Sequence, residues 1–372
     1  MHTVAAAWLM TTLTTSPVMA SLIQTASTLP SFLLALPAGA LADSVDRRKL
    51  LLWTQSWMLA AAALLGIITL SGATGPWTLL GLTFALGLGA AVNAPAWGAS
   101  IPDLVPPEQL ASAVTLNSVQ FNAARALGPA IAGIVLASSG PSVAFLLNAA
   151  SFVGVLIAIF AWKAQPRELV RISVLGQSIR EGLQFVLGDP PLRLILSRAG
   201  VFVLFGSALW ALLPVIARQQ LHASEAGFGL MLSSIGAGAA TSGLWLARGR
   251  SRWRSDQLLT GGIAIFAIVN FGLSRITSIG WAYLWLVAAG LAWVTVMSSL
   301  TVAAQRALPD WVRARGLSIY LLVFQGGMAA SSWLWGLAAS EFGIRAAMAG
   351  ASAGLALVAG LIYLGRTDKT FR

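Results

Sequence analysis

The feature that constrains this chain most is a series of long, uncharged apolar runs broken by short charged or Gly/Pro-rich turns. From about Pro17 to Ala42 there is no Asp, Glu, Lys or Arg, and there is none again from about Leu50 to Ser71. Between these runs, Asp43 to Lys49 places five charges in seven residues. About 18 or more apolar residues suffice for a helix to cross a bilayer. The charged stretch is therefore expected to be a turn at a membrane surface between two spanning helices. Composition agrees: of 372 residues, 57% are hydrophobic and 9% charged, with mean hydropathy +0.80. A soluble domain carries about 25% charged residues. In a soluble protein the net charge of +11 would point to nucleic acid. Here it reads as the basic flanks of membrane helices, so the expected partner is the lipid bilayer and not nucleic acid.

The same pattern continues along the chain. Helices are expected over about Leu50–Leu70, Trp77–Ser100, Ala111–Ala137, Ser142–Trp162, Leu192–Ala217, Ala226–Ala247, Gln257–Leu273, Trp281–Ala304, Val312–Ala339 and Ile344–Leu364. With the two before them, this gives an all-α polytopic membrane protein of twelve helices. The first is short. Met1 to Thr14 rises about 21 Å as helix, whereas the hydrocarbon core is about 30 Å thick. The expectation is that the chain begins partway into its first helix. A repeat at a shift of about 203 residues sets Pro106 beside Pro309, Ala126 beside Ala329 and Gly133 beside Gly336. The expected organisation is a six-helix bundle over 1–162, a linker over 163–190 and a second six-helix bundle over 191–372. Val174 to Val186 in the linker spaces its apolar residues as an amphipathic surface helix would.

Charge placement sets the expected topology. Basic residues gather at Arg47–Lys49, Lys163–Arg180, Arg248–Arg254, Arg306–Arg315 and the C-terminal tail, whereas the opposite turns hold Arg218, Arg275 and Arg345. The positive-inside bias then puts both termini in the cytoplasm, in a multi-pass inner-membrane protein. Gly81, Gly87 and Gly89 in helix 4 are expected at close helix contacts. No cysteine is present and the two histidines, His2 and His222, lie far apart, so neither a metal site nor another cofactor is expected. No nucleophile–base pair is visible, which argues against an enzyme. No Gly-x-x-x-x-Gly-Lys-[Ser/Thr] word occurs, which argues against ATP as the driver.

The stretch Gly39-x-Leu41-Ala42-Asp43-x-x-Asp46-Arg47-Arg48-Lys49 resembles the loop 2–3 signature of the major facilitator superfamily, G-x-L-x-D-[RK]-x-G-[RK]-[RK]. Asp46 departs from the usual glycine, and resembles the branch that includes the enterobactin exporter and macrolide efflux proteins. Gly128-Pro129-x-x-x-Gly133 resembles the helix 5 word of exporters in that superfamily. The resemblance implies the major facilitator fold and alternating access between two bundles. It also implies that Asp43 faces the start of helix 11, near Asp310-Trp311-Val312. A carboxylate suits the positive end of a helix. With Arg47 paired to Asp103 below helix 4, these charges would latch an inner gate.

Arg125 lies about halfway along helix 5, where a charge is costly and a cavity role is the default. It is expected to hold an anionic substrate or to pair with a carboxylate across the cavity. The structural alternative is a tie to backbone carbonyls. Trp8, Gln24, Asn117, Gln120, Trp210 and Gln325 are the further candidates for the cavity wall. No Asp or Glu falls deep in the helices from helix 2 onward, so proton antiport is implied by the resemblance alone. The expected function is a monomeric secondary exporter of a small amphipathic compound, drug-like or siderophore-like. The alternative is a truncated, non-transporting membrane protein or sensor of the same fold.

Overall fold

The structure, a computed structural model, describes residues 1–162, 183–249, 254–309 and 312–364. Within its helices, the side chains of Leu36, Ala40, Asp43, Asn122, Ala126, Ala247, Arg248 and Ala314, and Gly249, fall outside that description. The described part of the chain is helical, with no strand. In hydrocarbon each backbone N–H and C=O must be satisfied within the protein, and a helix does so within one segment. The helices are α1 (His2–Leu13), α2 (Pro17–Ser44), α3 (Arg47–Leu70), α4 (Pro76–Leu104), α5 (110–139) and α6 (141–161). They continue with α7 (Pro190–Val215), α8 (Glu225–Gly249), α9 (Ser255–Ser274), α10 (Ile279–Ala307), α11 (Arg313–Phe342) and α12 (Ile344–Leu364). The turn before α3 is called the basic end below, and the opposite side the far end.

Nine helical stretches among the described residues are long and apolar enough to cross a membrane. One of them, Pro107–Ala161, holds the break between α5 and α6. There Gly140 takes φ 79° and ψ 175°, a conformation open to glycine and little else, and Pro141 begins the next helix. Local chemistry sets the helix starts. Ser16 accepts a hydrogen bond from the Met19 amide, with Pro17 at the first position of α2. Asp189 likewise accepts from the Leu192 amide to start α7. Most of the linker, including most of the expected amphipathic helix, lies outside the described residues.

One proline inside a helix, Pro30 of α2, meets a glycine of the neighbouring α4. Pro30 leaves the Ala26 carbonyl without its N–H partner. Gly87 of α4 sits against that carbonyl, and a Cβ there would meet the Pro30 ring at 2.8 Å and the Ala26 oxygen at 3.2 Å. Gly89 packs on Met58. Gly81 corrects the expectation, because nothing lies within 4 Å of its Cβ position.

Packing follows the sequence repeat. In the first half α2 lies on α4, and α3 lies on α4 and α6; in the second α8 lies on α10, and α9 lies on α10 and α12. These pairs are related by the shift of about 203 residues. The halves meet through α2–α11 and α5–α8, again equivalent under the repeat, and through α1 against α7 and α8. Large apolar side chains such as Trp53, Ile67, Trp77, Trp281 and Leu361 are exposed around the outside. In water that surface would be a liability; in a bilayer it is the lipid face.

Candidate functional site: charged turn, central cavity and far-end junction

The charged turn ties three helices together. Asp46 accepts a hydrogen bond from the Lys49 amide at 3.2 Å and so caps α3. Arg47 follows at the first position, and its Nη1 donates to Asp103 Oδ2 at 2.9 Å and to the Ala99 carbonyl at 2.7 Å. Arg48 points the other way. Its Nε donates to the Ile159 carbonyl at 3.1 Å and its Nη2 to the Phe160 carbonyl at 2.9 Å. Those are last-turn carbonyls of α6, which attract a cation. The three residues thus bind the start of α3 to the ends of α4 and α6. Gly39 has open space at its Cβ position. Asp43 is in the last turns of α2, but its side chain and residues 310–311 lie outside the described residues.

A cavity of about 490 Å³ lies between the halves. Thr3, Val4 and Ala7 of α1, Gln24 and Thr28 of α2 and Arg125 of α5 form one wall. The other is built by Trp210, Leu213 and Pro214 of α7, Phe228 and Leu232 of α8, Trp293, Val294 and Met297 of α10, and Phe324, Gln325 and Met328 of α11. A neighbouring space of about 300 Å³ shares Arg125, Trp210 and Trp293 and adds Gly128 and Pro129. Trp293 is the hub of the aromatic wall, with ring centroids 5.3–6.0 Å from Phe202, Trp210, Phe266 and Phe324. Of the sequence candidates, Gln24, Arg125, Trp210 and Gln325 border this space.

Three other candidates do not. Asn117 accepts from Trp97 Nε1 at 3.2 Å, so its amide faces α4. Gln120 is exposed and is not among the residues around either space. Trp8 is buried at the far-end junction. Phe228, Phe324 and Thr28 line the cavity without a sequence signal, since an apolar or hydroxyl side chain on such a helix looks the same wherever it points.

The far-end junction joins the halves. Trp8 Nε1 donates to Glu225 Oε1 at 3.2 Å, Phe228 stacks on the indole, and the Arg218 guanidinium lies over it at 5.2 Å. Gln219 Nε2 donates to the Thr15 carbonyl, and Thr25 Oγ1 donates to the Ala329 carbonyl. The repeated glycines allow close approaches between the halves. A Cβ on Gly133 would lie 2.7 Å from Gly229 Cα, and one on Gly336 would lie 3.1 Å from Val18 Cα.

A family model described as a transmembrane secretion effector, of the major facilitator type, matches residues 1–370. The chain belongs to this family. Among its relatives, the staphyloferrin A transporter of Staphylococcus aureus is 26% identical over 85% of this chain and 79% of its own length. The enterobactin exporter of Shigella boydii is 29% identical over 70% and 62%. The fold is shared with a solved bacterial homolog of the human lysosomal transporter Spinster, captured inward-facing and occupied. The TM-score is 0.75 at 17% identity, covering 100% of this chain and 93% of that one. The family's members are membrane transporters, and this chain is a transporter rather than an enzyme.

Proposed function

We propose that the protein exports a small amphipathic compound, drug-like or siderophore-like, across the inner membrane by alternating access. The observation that carries this is the cavity walled by both halves, with repeat-related glycine contacts beyond it at the far end. Two lobes, 1–162 and 191–372, rock about that space, and one chain supplies both, so the working unit is a monomer. The basic end faces the cytoplasm with both termini, as the positive-inside bias requires. The charged turn, with Asp43 against α11 and Arg47 on Asp103, latches that end. The family description and the likeness to an enterobactin exporter support the outward direction.

Antiport against protons is part of this reading. Among the described residues no Asp or Glu lines the cavity. Glu225 instead holds the far-end junction through Trp8, and protonation would weaken that charge-assisted bond. The test is efflux of a panel of amphipathic compounds from cells expressing the chain, with the proton gradient intact or collapsed. Gradient-dependent efflux of at least one compound is expected. A correctly inserted protein that exports none of them would leave the alternative, a non-transporting membrane protein or sensor.

A further inference from the structure

We infer that the central cavity takes an organic anion with an aromatic body, its negative group on Arg125 and its ring against Trp210 and Trp293. This rests on the export reading above and names the chemistry of its cargo. Arg125 is the sole charged side chain among the described residues around the two connected spaces. Among the described residues its guanidinium lies over the face of Phe121, one turn back on α5, at 5.5 Å. That interaction leaves the five guanidinium N–H donors of this exposed side chain without an acceptor among the described residues, and it is weaker than a pairing with a carboxylate. The two roles that would make Arg125 purely structural, a carboxylate partner and ties to backbone carbonyls, are both absent among the described residues.

A second donor is in the same condition. Trp210 borders both spaces, and its Nε1 is buried with no hydrogen-bond partner. Buried donors are rarely left unpaired without a reason. Two unspent donors on the two walls of one space call for a ligand that brings acceptor oxygens. The other polar side chains around the larger space, Thr3, Gln24, Thr28 and Gln325, are neutral. A cationic compound would meet Arg125 with no acid among the described residues around it, and a neutral one would leave the positive charge unmatched. The rings of Trp293 and Phe324 supply flat apolar surface beside it. The volume, about 490 Å³, is in the range of sites for drug-sized ligands.

The experiment is equilibrium binding to the full chain in lipid nanodiscs, with three probes that share one ring system and differ in charge: 1-naphthylacetate, 1-naphthylacetamide and 1-naphthylmethylamine. The acetate is expected to bind at least tenfold tighter than the other two. Arg125→Gln removes that preference, Arg125→Lys keeps part of it, and Trp210→Phe, which retains a ring but not the donor, weakens the acetate several-fold. Size-exclusion profiles and binding of the neutral amide check that each variant is folded. Equal binding of amide or amine, no binding of the acetate, or acetate affinity unchanged in a folded Arg125→Gln variant would overturn the proposal. Uptake of the same probes into inverted vesicles separates the two readings. Anion-selective binding without transport sinks the export reading alone, and transport without anion preference sinks this one alone.

Discussion

Gly133→Ala tests whether the far-end contact between α5 and α8 sets the conformational balance. The added Cβ would lie 2.7 Å from Gly229 Cα, 3.1 Å from the Glu225 carbonyl and 3.2 Å from the Gly229 amide nitrogen. All three neighbours are backbone, so no rotamer change relieves the clash. Carbon atoms in contact sit about 3.5–4.0 Å apart, so the helices must separate by about 1 Å. Overpacking of this kind costs about 1–3 kcal/mol. Alanine also favours helix over glycine by about 1 kcal/mol, but it does so in every conformer and cancels from their ratio. With about 1.4 kcal/mol per factor of ten, the far-end-closed population should fall roughly 5- to 150-fold relative to the open one.

The chain has no cysteine, so spin labels can be placed without background at Ala73→Cys and Thr277→Cys, two exposed far-end positions on opposite halves. Pulsed distance measurements in nanodiscs should show a longer-distance population growing in Gly133→Ala. Gly81→Ala is the control, because its Cβ position is empty to 4 Å and no shift is expected. A Gly133→Ala distribution that matches wild type within twofold would show that the glycine contact does not govern the balance.

Three further outcomes are expected. The Arg47–Asp103 pair is partly exposed, at 13% and 37% of its side-chain surfaces, and exposed pairs contribute at most about 1 kcal/mol. A double-mutant cycle with Arg47→Ala and Asp103→Ala should thus show a coupling below about 1 kcal/mol in unfolding while transport falls; a larger coupling would make the pair a stabiliser rather than a latch. Asp43→Asn should cripple transport with insertion intact, and transport at wild-type rate would remove Asp43 from the gate. Glu225→Gln keeps an acceptor for Trp8 but cannot ionise, so efflux should persist while its dependence on the pH gradient is lost. Unchanged pH dependence would place the coupling elsewhere.

Much of the architecture was legible because lipid permits few answers. Uncharged runs long enough to span had to be helices, and basic clusters marked their ends. The turn was nearly as readable: Asp46, Arg47 and Arg48 act within a residue or two of a helix terminus, where the chemistry of caps and last-turn carbonyls is local.

What the sequence by itself determined was the all-helical membrane architecture, its repeat and the charged turn. The tertiary structure alone decided which face of each helix meets another helix. It put Gly133 against Gly229 and left Gly81 empty, took Trp8 out of the cavity to Glu225, turned Asn117 toward Trp97, and left Arg125 on the cavity wall with no acid beside it among the described residues. The physical reason is that lipid is as apolar as a neighbouring helix. Hydrophobic periodicity, which separates core from water in a soluble protein, cannot separate neighbour from bilayer here, and contacts between residues 20 to about 300 positions apart appear only once the helices are assembled.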